Sequence, residues 1–173
     1  DPALAQRVAQ LLGPDTGIDP ERGLDHGAWS VLLPMFPDAD IPVVQLGIDV
    51  RRDGAWHYAL ARRLAPLRDE GVLLLCTGNI VHNLRYFDPR VTEGLPWALR
   101  FRDLVNRLMR EGDHTALMRF DALPDARLAV PSPEHFLPLL YALANGREGD
   151  AVTVFCDDVV GGISMTSLLI DRA

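Results

Sequence analysis

Residues 41–76 read IPVVQLGIDVRRDGAWHYALARRLAPLRDEGVLLLC, and this stretch decides the fold class. Residues 41–48 form a short apolar run rich in Ile and Val, the pattern of a buried strand. Between Trp56 and Asp69, Leu60, Leu64 and Leu67 recur at helical spacing, with Pro66 placed to kink the last turn. Gly71 restarts the chain into residues 72–76, a second apolar strand. The connection over 49–71 is long enough for a crossover helix, so the unit predicts a parallel strand pair. The fold class expected is α/β: a single domain with a central, largely parallel or mixed sheet flanked by helices.

The flanks extend this pattern. Asp1 as N-cap and Pro2 at the first helical position open an amphipathic helix carrying Leu4, Val8, Leu11 and Leu12, stopped by Gly13-Pro14. Residues 19–27 are a polar loop, and a short apolar helix over 28–36 follows. A long amphipathic helix is predicted over 96–111 and a shorter one over 113–121. Another begins at Ser132-Pro133-Glu134 and runs to Ala144. Two late strands are predicted at 151–156 and 163–170. No repeat, low-complexity tract or linker divides the chain.

Composition narrows the chemistry. All 17 basic residues are arginine, against 24 acidic ones, for a net charge of −7. Without lysine there is no Schiff base, no P-loop lysine and no amine general base, and permanently charged arginine cannot replace them. An acidic chain lacks the basic face that phosphate contacts need, so no nucleic-acid partner is expected. No apolar run is long enough to span a bilayer, so no membrane partner is expected and the default location is the cytoplasm. Cys76 and Cys156 have neither redox-pair nor zinc-knuckle spacing, and each sits in an apolar run suited to a buried free thiol.

Five histidines carry the remaining interest. His57 and His114 read as surface or capping residues without ligand-type neighbours. His82 lies just past the carboxyl end of the strand at 72–76, the edge of an open α/β sheet where ligands gather. Gly78 permits a sharp turn there, and Asn79, Asn83 and Arg85 place donors and acceptors around it. His135 falls in the first turn of the helix capped by Ser132, where the helix dipole favours the neutral ring a metal needs. His26 sits between glycines in GLDHG, next to Asp25, which either orients another group or closes an Asx-turn. No HxxxH or HExxH spacing marks a metal site, so each histidine also has an ordinary structural reading.

Taken together, GLDHGAW at 23–29, APLRDEGV at 65–72, GNIVHNLR at 78–85 and EHFLPL at 134–139 resemble, in this order, the DOPA 4,5-dioxygenase-like branch of the class III extradiol ring-cleavage dioxygenases. GISMT at 162–166 is similar to that family's closing strand, and the resemblance runs over about residues 1–170. It implies cleavage of a catechol-type, DOPA-like ring with O2 to a muconic semialdehyde. His82 and His135 correspond to metal-site histidines, and His26 to an active-site histidine that meets substrate or oxygen. In more distant relatives the residue at His82 resembles the acid/base, which leaves it both roles and makes Glu134 a weaker ligand candidate. The implied metal is Fe(II), with Zn(II) able to occupy the same ligands without oxygen chemistry. Arg85 reads either as the group that holds a substrate carboxylate or as a member of an exposed ion pair.

Family members have about another third of sequence in front, with two further metal histidines. Residues 1–173 are therefore expected to be the carboxy-terminal two-thirds of one such domain. Two alternatives stay open: a non-catalytic remnant of the fold, and a zinc-dependent hydrolase using the same histidines. The expected partners are a small catechol and O2, and a homo-oligomer also stays open.

Overall fold

A computed structural model describes residues 1–88 and 90–172. Its first helix, α1 (Pro2–Leu12), is capped as the sequence predicts: the Asp1 carboxylate accepts from the N–H groups of Ala3 and Leu4. α2 (His26–Met35) starts two residues earlier than expected, with Asp25 as N-cap accepting from Ala28 N–H. The predicted 56–69 helix is two helices. α3 (Gly54–Arg62) is capped by Asp53, and α4 (Pro66–Asp69) follows a turn. Pro66 has no N–H to offer Arg62, so the chain breaks there rather than bending. α5 (Pro96–Glu111) has the predicted bounds, and α6 (His114–Met118) ends in a 3₁₀ turn over Phe120–Ala122. The short α7 (Ala126–Ala129), entered through Asp125 at φ 63, has no counterpart in the sequence reading.

The helix expected from Ser132 is also divided. Pro133–His135 is a 3₁₀ turn, and α8 (Leu137–Ala144) begins only after Phe136. Pro138 forces this division. A helix running through it would need an N–H from Pro138 to the Glu134 carbonyl, which proline lacks. Ser132 makes no capping bond to the backbone; its hydroxyl donates to Glu134 Oε1 at 2.6 Å.

The α/β class holds, but the parallel pair does not form. β1 (Asp150–Cys156) pairs antiparallel with β4 (Ser167–Arg172), Val152 opposite Ile170 and Val154 opposite Leu168, with a bulge before Cys156. β2 (Val159–Val160) pairs antiparallel with β3 (Ile163–Ser164). A single parallel bridge joins Gly94 to Gly161. Residues 41–48 and 72–76 carry no regular secondary structure, and neither enters a ladder with the described residues. Along 72–76 exposure alternates: Val72, Leu74 and Cys76 pack inward, while Leu73 and Leu75 stand 64% and 41% exposed. The apolar pattern at 72–76 thus encodes an inward face, whereas the ladder partner is a non-local matter.

α8 lies at the centre of the packing. Leu137, Leu140 and Leu143 join Phe101, Val105, Leu117 and Phe136 in the larger core. Tyr141 and Ala144, on another face, join Leu12, Leu60, Ala61, Leu64 and Leu67. Between these elements His57 is wholly buried, neither a surface nor a capping residue. Its Nε2 lies 3.0 Å from the Asp49 carbonyl, which can only accept, so that nitrogen carries the proton. Nδ1 then accepts from the Tyr141 hydroxyl at 2.9 Å. His114 follows Asp113, which caps α6, and its Nδ1 is hydrogen-bonded to Tyr58 Oη at 2.6 Å.

Burial holds the His57 ring below the ordinary histidine range. A group whose folded pKa is depressed contributes stability that is complete above its unfolded value, about 6.5, and is lost as pH falls through the folded one. Urea midpoints are therefore expected to be level at mildly alkaline pH and to fall as pH drops below about 6.5. The His57→Gln protein, less stable at every pH, should show a shallower acid limb. An equally steep limb in that variant would remove His57 from the account.

Candidate active site

Two of the sequence-selected histidines, His82 and His135, are brought into contact. His82 lies in the loop that follows the run at 72–76, and this loop is held on several sides. His82 N–H donates to the Ala129 carbonyl at 2.8 Å, and Asn83 N–H to Gly162 O at 2.9 Å. Asn83 Nδ2 donates to Leu128 O at 2.8 Å, and His82 forms an antiparallel bridge with Ile163. The tight turn Gly161-Gly162 makes this approach feasible: Gly161 is left-handed (φ 56), and a Cβ there would press on the Tyr86 carbonyl. Asn79 and Asn83 therefore hold the loop rather than face a ligand.

His135 approaches from the 3₁₀ turn ahead of α8. The two imidazoles stack, with centroids 3.5 Å apart and planes inclined by 15°. His26 enters from the exposed start of α2, close enough that its charge disfavours protonation of His135. The Asp25 that precedes it is tied to the run at 41–48 by a reciprocal pair. Gln45 Nε2 donates to Asp25 Oδ2 at 2.8 Å, and Asp25 N–H donates to Gln45 Oε1 at 2.9 Å. Gln45 was not visible as a site residue, because its pairing crosses between two loops. Arg85 stands exposed in the 3₁₀ turn Leu84–Tyr86, three residues beyond His82.

Electrostatics favour neutral rings. Burial, and then the neighbouring His135, hold His82 below the ordinary histidine range, partly opposed by Glu134. Burial likewise lowers His135, against Glu134 and with His26. The sequence reading attributed a neutral His135 to a helix amino terminus; desolvation is the cause instead, since the residue lies in a 3₁₀ turn. Burial pushes the Glu134 carboxyl up, but the Ser132 hydroxyl, a backbone bond and the two histidines outweigh it and leave it ionised. At neutral pH the site thus offers two uncharged imidazoles beside a carboxylate, a set able to accept and return one proton.

These residues do not make a complete metal site as they stand. An imidazole lone pair lies in its ring plane, so two nearly parallel rings 3.5 Å apart direct theirs side by side, not to one point. Among the described residues no three His, Cys, Asp or Glu side chains converge as metal ligands. The cysteines are free, and burial pushes the Cys76 thiol up to about 11, the behaviour of a packed rather than a reactive thiol. No helix among the described residues is long and apolar enough to cross a membrane.

Known proteins are similar to this chain in sequence and, for a solved structure, in fold. The family described as the catalytic LigB subunit of aromatic ring-opening dioxygenase matches over residues 1–157. A protein named 4,5-DOPA dioxygenase extradiol from Escherichia coli (strain K12) is 42% identical over 176 residues, covering 98% of this chain and 65% of the relative. Its namesake from Beta vulgaris is 37% identical over 167 residues, covering 94% and 62%. The crystal structure of an uncharacterised protein from Escherichia coli K12 superposes with a TM-score of 0.90 at 40% identity, covering 97% of this chain and 72% of that one. The chain spans a little under two-thirds of the length of these curated relatives.

Proposed function

The chain belongs to the LigB family of aromatic ring-opening dioxygenases, and from that premise we propose that it takes part in extradiol cleavage of a catechol-type, DOPA-like ring by O2. The observation that carries this reading is the stacking of the His82 and His135 rings, with centroids 3.5 Å apart. His82, neutral and half-buried, takes a proton from a catechol hydroxyl and later returns it to the opened ring. His26, exposed at the start of α2, donates to or accepts from substrate or oxygen. Arg85 is the group for a substrate carboxylate.

Family members are generally metal-dependent. Fe(II) is the metal that ring opening by O2 calls for, and Zn(II) would suit the same nitrogen donors without oxygen chemistry. His135 is the ligand we assign within this chain; His82 is the second ligand in the alternative where it does not carry the proton, and binding both to one metal requires one ring to turn out of the stack. Two donors fall short of a closed site, and the runs at 41–48 and 72–76 enter no ladder with the described residues. Residues 1–173 are read as the part of a ring-opening domain that matches a little under two-thirds of the curated relatives' length.

The test is oxygen uptake and yellow product with DOPA and simple catechols, Fe(II) being supplied in excess. Uptake matched to ring-opened product is expected. After gel filtration the 173-residue chain should retain less than one metal per chain. Absence of uptake from the folded protein with every catechol would overturn the reading in favour of a non-catalytic chain. Turnover that persists without oxygen would point to a hydrolase. Stoichiometric metal retention would show that the ligand set is complete within these residues.

A further inference from the structure

The His82–His135 pair joins two segments distant in sequence, and one residue touches both. Asn79 N–H donates to the His135 carbonyl at 2.8 Å, and Asn79 Nδ2 donates to the Ser164 carbonyl on β3 at 2.7 Å. Ser164 N–H returns a bond to Val81 O at 3.0 Å, so β3 grips the loop on either side of Ile80. Ser164 is 1% exposed, and its carbonyl has little access to water as a replacement for the Asn79 amide.

The His135 carbonyl is free to accept because of Pro138. In an unbroken helix it would take the N–H of Leu139; here Leu139 N–H donates to Phe136 O at 3.1 Å instead. Gly78 completes the approach, since a Cβ at that position would run into the same His135 carbonyl and the Pro138 ring. The anchor itself is fixed to α5. Ser164 Oγ lies 2.6 Å from Thr166 Oγ1, which donates to Asp157 Oδ1 at 2.8 Å, and Asp157 also takes both Asn106 Nδ2 and Arg102.

We propose that Asn79 is the positioning residue of this site: by binding the His135 carbonyl and the Ser164 carbonyl at once, it sets the spacing of His82 and His135. This rests on the reading above that these two histidines do the work. The Asn79 N–H ties the loop to the His135 carbonyl and its side chain ties the same point to β3, so the 3.5 Å ring separation depends on the Asn79–Ser164 bond. A working constellation must be held to within about 0.5 Å, which a single half-buried imidazole on a free loop would not achieve.

The test is histidine ring spectroscopy on the isotope-labelled chain at alkaline pH, where the imidazoles are neutral. Stacked rings shield one another, so the C–H signals of His82 and His135 should lie upfield, and His82→Ala should remove the displacement of His135. Asn79→Ala and the isosteric Asn79→Asp, which lacks the donor, should each lose most of both displacements. Asn145→Ala serves as a control: it removes bonds from Asn145 Nδ2 to the Ala61 and Tyr141 carbonyls, away from the site, and should leave both signals in place. In the unaltered chain the Asn79 and His82 amides should exchange slowly. Unmoved ring signals in either folded Asn79 variant, or amides exchanging as fast as open loops, would overturn the assignment. If ring cleavage is observed, Asn79→Ala should lower kcat by about 10²-fold with little change in KM. The ring signals and amide exchange do not depend on turnover, so a failure of the dioxygenase reading would leave this result standing.

Discussion

Replacing His82 with alanine is expected to lower catechol ring cleavage by about 10²–10⁴-fold while the protein stays folded. The fold survives because what His82 gives the structure is its backbone: its N–H bond to Ala129 and its bridge to Ile163 remain in alanine. The flanking residues that are buried, Val81 and Asn83, are untouched. What is lost is a neutral imidazole in position to take and return a proton. Any preparation that cleaves catechols can be used, with oxygen uptake as the rate and far-UV circular dichroism as the control for folding. A variant that turns over at close to the parent rate would remove His82 from the chemistry and leave His26 and His135 as the candidates.

Phe136→Ala is expected to have the largest effect on stability, about 3–5 kcal/mol. The side chain is fully buried, stacks on Phe120 with centroids 4.4 Å apart and meets Phe101 edge-on at 6.3 Å. It sits at the joint between the 3₁₀ turn carrying His135 and the start of α8, so the cavity left behind would open next to the site. Phe155 on β1 provides the contrast. It is 71% exposed, and Phe155→Ala should stay within about 0.5 kcal/mol of the parent. Urea midpoints of the two variants decide the matter: equal shifts would mean that Phe136 does not hold the larger core together.

The parts of the fold that could be read in advance are those set by neighbours in sequence. Asp1 with Pro2, and Asp113 ahead of α6, are caps because a short carboxylate reaches N–H groups two or three residues on. α5 has its predicted bounds because its apolar positions repeat at 3.6 residues over four turns. Where such a pattern passed through a proline, at Pro66 and Pro138, periodicity overstated the helix and the missing N–H divided it. His57 was misread for a different reason. A histidine between Trp56 and Tyr58 looks like a surface residue until α8 brings Tyr141 against it.

By itself the sequence determined the α/β class, the excluded amine chemistry and the short set of histidines, His26 and His82 in loops with Gly or Asn neighbours and His135 just after Ser132-Pro133. Each of these depends on residue type and local spacing. Only the tertiary structure decided that the His82 and His135 rings stack, that Asn79 and Gln45 are holding residues, and that 41–48 and 72–76 do not pair with each other. These outcomes depend on which carbonyl lies opposite which N–H after α5, α8 and β3 have packed. Nothing in the spacing of residues along the chain encodes that choice; it is made by burial and by the need to satisfy each buried polar group.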